Sequence, residues 1–220
     1  MARTSRNQAY SALSNWHDYG IFNQTREIFL GVADEGLNAK DAITFIKNLT
    51  MLESINSDPV IIHQYNSGGD QAAGFAIYDA IRMSKCKLLF LCYGAAASMG
   101  SIIPQAVVGK GLRVTHAHCE WVIHEGECGV SGTVKQFISN ADALKQVKEI
   151  MYNIYANACR KGEFFKGKKP REIKAILKRR LNTKEDWILY GEEAVYYGFA
   201  DVIFGSGQNN SVANILKRIS

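Results

Sequence analysis

Three short stretches of this chain place reactive residue types where chemistry could be done. The first is Gly94-Ala95-Ala96-Ala97-Ser98-Met99-Gly100-Ser101, in which a serine stands behind four small residues and ahead of a helical start. A serine so placed projects into a cleft at the carboxyl end of a sheet. Small neighbours let a substrate backbone approach, and the helix N-terminus offers amide donors and positive potential. Those are the needs of a nucleophile with an oxyanion hole, although the same string also serves as a plain helix cap. The second stretch, Asn66-Ser67-Gly68-Gly69-Asp70, follows an apolar run. Paired glycines can turn amides outward toward a phosphate or an oxyanion, or simply make a tight turn. Neither Gly-x-x-x-x-Gly-Lys-Ser/Thr nor Gly-x-Gly-x-x-Gly occurs, which argues against nucleotide binding.

The third stretch ends in His124, after Trp121-Val122-Ile123 and before Glu125-Gly126-Glu127. A histidine at a strand end beside a loop is placed to act as a general base, provided a carboxylate orients its other ring nitrogen. A strand-end histidine bonded to solvent or backbone is the equal alternative. His116, His118 and Cys119 invite a zinc reading, but His-x-His-Cys on a strand sends alternate side chains to opposite faces and no second ligand pair follows, so no metal is expected. Asp186, just before Trp187-Ile188-Leu189, reads as a helix cap.

The elements that must position these residues alternate. Ile28-Phe29-Leu30-Gly31-Val32 reads as a buried strand, and Asp41 to Glu53 as a helix burying Ile43, Ile46, Leu49 and Leu52 at three-residue spacing. A strand Val60 to Tyr65 runs into the glycine turn, and a helix Gln71 to Met83 turns Ala73, Ile77, Ala80 and Ile81 inward. A strand Leu88 to Cys92 follows, with Gly94 to Ala97 read as a turn. Short strands fit Arg113 to Thr115 and Glu120 to Ile123. A helical pattern without Gly or Pro spans Val134 to Arg160, long enough that part of it should project to meet another subunit. Ile173 to Asp201 reads as two helices around Trp187-Ile188-Leu189, closed by a strand Asp201 to Phe204, and residues 1 to 24 as a polar arm. Strand, helix, strand in this order is an α/β architecture with right-handed crossovers.

Composition narrows the class. The chain has 220 residues, 47% of them hydrophobic, only three prolines, and enough length to bury a core without disulfides. Its five cysteines are scattered and odd in number, which points to reduced thiols and a cytoplasmic setting. The net charge is +5, and ten of the 26 basic residues fall between Arg160 and Arg180. With no aromatic or zinc signature beside them, these read as a solvated helical surface and not as a nucleic-acid site. No apolar run is long enough for a membrane span or a signal peptide, so the chain is expected to stay where it is made.

Taken together, the segments resemble the Clp protease proteolytic subunit (ClpP) family of serine peptidases, over roughly Arg26 to Phe204. The resemblance rests on Arg26-Glu27-Ile28-Phe29-Leu30-Gly31, Asn66-Ser67-Gly68-Gly69, Gly74-Phe75-Ala76-Ile77-Tyr78-Asp79, the Ser98 segment and Ile123-His124. Asp186-Trp187 with the block Glu193 to Asp201 completes it. It implies a crotonase/ClpP-like fold of repeated ββα units as one domain, residues 25–220, with a projecting handle helix at about 134–160 and residues 1–24 as an N-terminal arm or axial segment. It implies a Ser98, His124, Asp186 triad in this family's chain order, with Gly68, Gly69 and Met99 at the oxyanion and substrate-binding positions. It also implies heptameric rings stacked in pairs as a tetradecamer, and an AAA+ unfoldase that uses ATP and feeds in unfolded polypeptides. This chain itself would need no cofactor. Ser67 stands where the family usually has proline between serine and the glycines, Tyr65 where asparagine is common, and Gly126 where a proline usually follows the base segment. Such departures suit a phage-encoded or otherwise divergent member. Two other readings share the fold: a capsid-maturation protease working without an unfoldase, and a crotonase relative that is not a protease.

Overall fold

The computed structural model describes residues 11, 13–32, 36–127, 129 and 131–219, so Cys128 and residues 1–10 and 12 of the expected arm lie outside them. A mixed sheet of eight strands runs through the molecule: β1 (Ile21–Phe22), β2 (Glu27–Gly31), β3 (Val60–Asn66), β4 (Leu88–Ala97), β5 (Leu112–Thr115), β6 (Glu120–Ile123), β7 (Trp187–Leu189) and β8 (Val202–Ile203). The order along the main path is β1-β2-β3-β4-β5-β8, while β6 pairs with β4 and β7 with β6. Only the β1–β2 and β6–β7 pairs are antiparallel. Helices α1 (Ala39–Ile55), α2 (Gln71–Met83), α3 (Met99–Ile102), α4 (Val134–Ala158), α5 (Pro170–Thr183), α6 (Gly191–Tyr197) and α7 (Val212–Leu216) supply the connections and covers. This is the mixed α/β, parallel-dominated architecture expected from the alternation of apolar runs.

Val60-Ile61-Ile62 and Leu88 to Cys92 are continuous apolar runs because both sheet faces are covered. Ile62, Phe90 and Cys92 face the main core under the helices, whereas Ile61, Leu89, Leu91 and Val114 meet Ile215 and Ile219 on the opposite face. On that second face a ladder of rings crosses the strands. His63 stacks on Phe29 and Tyr93, and His116 stacks between Tyr93 and Phe204 at centroid distances of 4.5 and 4.9 Å. His116 is therefore committed to the ladder, while Cys119 is buried elsewhere and His118 is exposed. Among the described residues no three His, Cys, Asp or Glu side chains form a group able to hold a metal, and no helix is long and apolar enough to cross a membrane.

The structure corrects three readings. Helix α1 buries Ala42, Phe45, Leu49 and Leu52 while Ile43 is 53% exposed. With 3.6 residues per turn, a strict three-residue step drifts by about 60° per turn, so a fixed face needs alternating steps of three and four. The expected turn at Gly94 to Ala97 is the second half of β4, in which Leu89 to Cys92 pair with β5 and Ala95 to Ala97 with β6. Gly94, at φ +54°, lies where the strand changes partner, and a Cβ there would lie 2.5 Å from the Tyr65 ring. The small residues that resemble a turn are a strand passing close to its neighbours. Finally, residues 13–19 are helical and Ile21–Phe22 pairs with β2, with Ile21 in the core, so the end of the expected arm is tied into the sheet.

Helix α4 carries the length the sequence predicts. Its buried residues begin only at Met151, whereas Val134, Phe137 and Ile138 are more than half exposed, so its first half projects from the body. Part of the basic cluster is used internally: Lys174 and Lys178 pair with Glu149, whose carboxyl they hold down at about 2, and Arg180 lies over the Trp187 ring. Cys86, Cys92, Cys119 and Cys159 are free and buried, and burial pushes the thiols of Cys119 and Cys159 up to about 12, which removes them as nucleophiles.

The β5–β8 edge is pinned by Arg113, which is 1% exposed and donates to both Asp201 oxygens, at 3.1 Å to Oδ2 from Nε and 2.7 Å to Oδ1 from Nη2, and to the Gly198 carbonyl. Burial pushes the Asp201 carboxyl up, but the guanidinium more than offsets it and holds it below the usual carboxylate range. Asp201→Ala strands a buried guanidinium and is expected to cost about 3–5 kcal/mol. Because the folded carboxyl titrates below the unfolded one, the pair's contribution is intact above roughly pH 4 and is lost as pH falls below it. Chemical denaturation at pH 7 and pH 3 checks this. A wild-type–variant gap that does not shrink at pH 3 contradicts it.

Candidate active site

Strand register assembles the site. In the β4–β6 pair Ala97 lies opposite Val122, and the Ser98 amide donates to the Val122 carbonyl at 2.9 Å. Both strands then end, with Ser98 and His124 at their carboxyl termini, where open parallel sheets bind ligands. In the antiparallel β6–β7 pair Ile123 lies opposite Trp187, so the next position outward sets His124 against Asp186. Their side chains meet accordingly, with Nδ1 of His124 3.4 Å from Oδ1 of Asp186. In the β3–β4 pair Asn66 lies opposite Ala96, which carries Gly68 level with Ser98. Asp186, read from sequence as a cap, thus sits beside the histidine because of a strand pairing the sequence does not display.

Ser98 itself is strained. Its φ of +51° and ψ of −124° lie where non-glycine residues are rare, and Arg26 is the only other described non-glycine residue with positive φ. The sharp turn from β4 into α3 is anchored from behind: the Ser98 carbonyl accepts from the amide and hydroxyl of Ser101, and Ser101 Oγ lies 2.7 Å from the buried Tyr155 hydroxyl. Gln64 adds a bond to the Gly100 carbonyl at 2.9 Å. Such an elbow exposes the serine hydroxyl at the top of the sheet.

The glycine turn lies against it. Leu37 donates to Gly68 O and accepts from Asp70 N in an isolated bridge, which leaves the Gly69 amide pointing the other way with no partner among the described residues. The Met99 amide, in the first turn of α3, also has no acceptor there. The Gly68 amide is engaged, donating 2.8 Å to Asn66 Oδ1, so Gly68 serves close approach and not donation. A Cβ at Gly68 would lie 2.4 Å from the Ser98 Cβ, at a φ of +97°. Gly68→Ala is therefore expected to displace the serine and lower its acylation rate by about 100-fold. The rate of covalent labelling by an organophosphonate probe tests this, and labelling at the wild-type rate contradicts it. Asn66, whose side chain holds this turn, has no role of its own in the sequence reading, where it only opens the glycine string, although Asn two residues before Gly is an Asx-turn signature.

Ser98, Met99, His124 and Gly69 line one cavity of about 390 Å³ with Phe75, Ile102 and Met151. Nε2 of His124 is buried without a hydrogen-bond partner. An unpartnered imidazole nitrogen, a strained serine and two free amides around one cleft are the parts of an acyl-transfer site.

A serine on a strained strand-to-helix turn, with a histidine–aspartate pair supplied by the next two strands, is the layout of a serine hydrolase. The Clp protease family model matches residues 11–207, and the chain belongs to that family of serine peptidases. Among its relatives is the ATP-dependent Clp protease proteolytic subunit 2 of Pseudomonas aeruginosa, 29% identical over 184 residues that cover 83% of each chain.

Proposed function

We propose that this chain is a serine endopeptidase that cleaves unfolded polypeptides inside a ring-shaped chamber. Ser98 Oγ attacks the scissile carbonyl while His124 Nε2 takes its proton, and Asp186 orients the imidazole through Nδ1 and stabilises its charged form. The amides of Gly69 and Met99 receive the developing oxyanion. His124 then returns the proton to the leaving amine, and water, activated by the same histidine, releases the acyl group from Ser98.

The observation that carries this reading is the pair of strand registers that bring Ser98, His124 and Asp186 to the ends of three adjacent strands. The exposed apolar residues of the projecting half of α4 support assembly through that helix, in heptameric rings stacked as a tetradecamer. The relative's ATP-dependence supports an AAA+ unfoldase as partner over a protease working without one. ATP would be spent by that partner, with no cofactor in this chain, in the cytoplasm. Native mass spectrometry with a short fluorogenic peptide tests the reading. A large ring assembly that hydrolyses the peptide, with hydrolysis lost in Ser98→Ala, supports it. A monomer without hydrolysis contradicts it.

A further inference from the structure

Glu125 follows His124 directly and is bound to α4 by two side chains. Tyr152 Oη donates to its Oε1 at 2.5 Å, and Lys148 Nζ pairs with Oε2. Tyr152 is 1% exposed, so the carboxylate reaches a donor fixed within the core. That donor is held in turn: Lys178 of α5 lies 5.4 Å from the Tyr152 ring centroid and pairs with Glu149 of α4. Burial alone pushes the Glu125 carboxyl up, but the bonds from Lys148 and Tyr152 more than offset it and keep it ionised, while burial and the carboxylate push the Tyr152 phenol up and keep it a donor. Among the described residues Gly126 and Glu127 have no hydrogen-bond partner, and a Cβ on Gly126 would meet nothing within 4 Å. The pairing of β6 with β7 also stops at Ile123.

His124 therefore leaves the sheet with one neighbour that is tied down, and the polar partner of its ring among the described residues is Asp186, at 3.4 Å. We infer that Glu125 is a positioning residue: by clamping the end of β6 to Tyr152 and Lys148 on α4 it sets where the His124 imidazole stands relative to Ser98. The inference rests on the reading of His124 as the general base. It follows that movement of α4 is transmitted to the base through this carboxylate, with no contact between α4 and the reacting atoms required. A misplacement of about 1 Å at such a group costs on the order of 100-fold in rate.

The test is the steady-state hydrolysis of a short fluorogenic peptide by the wild type, Glu125→Ala, Glu125→Gln, Tyr152→Phe and the Glu125→Ala/Tyr152→Phe double variant, with organophosphonate labelling of each. Glu125→Ala is expected to lower kcat about 30-fold and Tyr152→Phe about 10-fold, with KM within about twofold of wild type. Glu125→Gln, which keeps an acceptor for Tyr152, should recover most of the loss. The double variant should be no slower than Glu125→Ala, because both changes break one link. A wild-type kcat in Glu125→Ala, a loss confined to KM, or multiplicative losses in the double variant each overturn the inference. If Glu125→Ala does not fold, Tyr152→Phe decides alone, since it removes one oxygen and keeps the ring, and an unchanged kcat there overturns the clamp. Failure of the wild type to label at Ser98 overturns the peptidase reading and the inference together, whereas normal labelling with indifferent Glu125 variants overturns the inference alone.

Discussion

His124→Ala is expected to lower acylation of Ser98 by roughly 10⁵-fold, leaving only what the cleft and its amide donors contribute. The size follows from the surroundings of the two groups. Of the other described titratable side chains lining the cavity, Glu125 is engaged by Tyr152 and Lys148, Lys145 is paired with Asp142, and Glu127 is exposed on the loop beyond. Among the described residues the thiols of Cys86, Cys92, Cys119 and Cys159 are buried, and burial pushes each of them up. Rapid-mixing measurements of the alcohol released from an activated ester would show the loss. A variant within tenfold of wild type would mean that another group serves as base.

Asp186→Asn has the second-largest expected effect, about 10³-fold in kcat with KM little changed. A triad carboxylate in a dry site is worth about 10⁴ because the amide fixes the wrong imidazole tautomer. Here the carboxylate side chain is 56% exposed and stands 3.4 Å from Nδ1, so water competes for the nitrogen and weakens the penalty. Asp186→Ala should be the less damaging substitution, since it lets water accept the Nδ1 proton where asparagine would present a donor. Equal rates for wild type and Asp186→Asn would show that this neighbour is structural. No other acidic side chain is within salt-bridge distance of His124 among the described residues.

How much of this was legible in the residues depends on whether the information is local. Ser98 and His124 stood out because each closes an apolar run and opens a loop or helix, a signal contained within a few residues. Asp186 did not, because its position is set by the antiparallel pairing of Ile123 with Trp187 across more than sixty residues of intervening chain. Only the family resemblance marks it as a triad position. The Gly94 to Ala97 segment failed for the opposite reason: its small side chains answer to close neighbours in space, Tyr65 above all, while mimicking a turn in sequence. In α1 the error was in phase and not in type, since Ile43 and Ile46 are as apolar as the Phe45 that occupies the core. The length of α4 was legible from the absence of Gly and Pro, but its Tyr152 and Lys148 contacts to Glu125 were not, because nothing local to a helix says which loop it will meet.

The most direct test of the account is a mass measurement of the intact protein after exposure to a fluorophosphonate, followed by peptide mapping of the adduct. The account predicts one adduct per chain, on Ser98, with none formed by Ser98→Ala and a greatly slowed reaction in His124→Ala. An unmodified wild-type chain, under conditions that label other serine hydrolases, or an adduct on any other residue would contradict it.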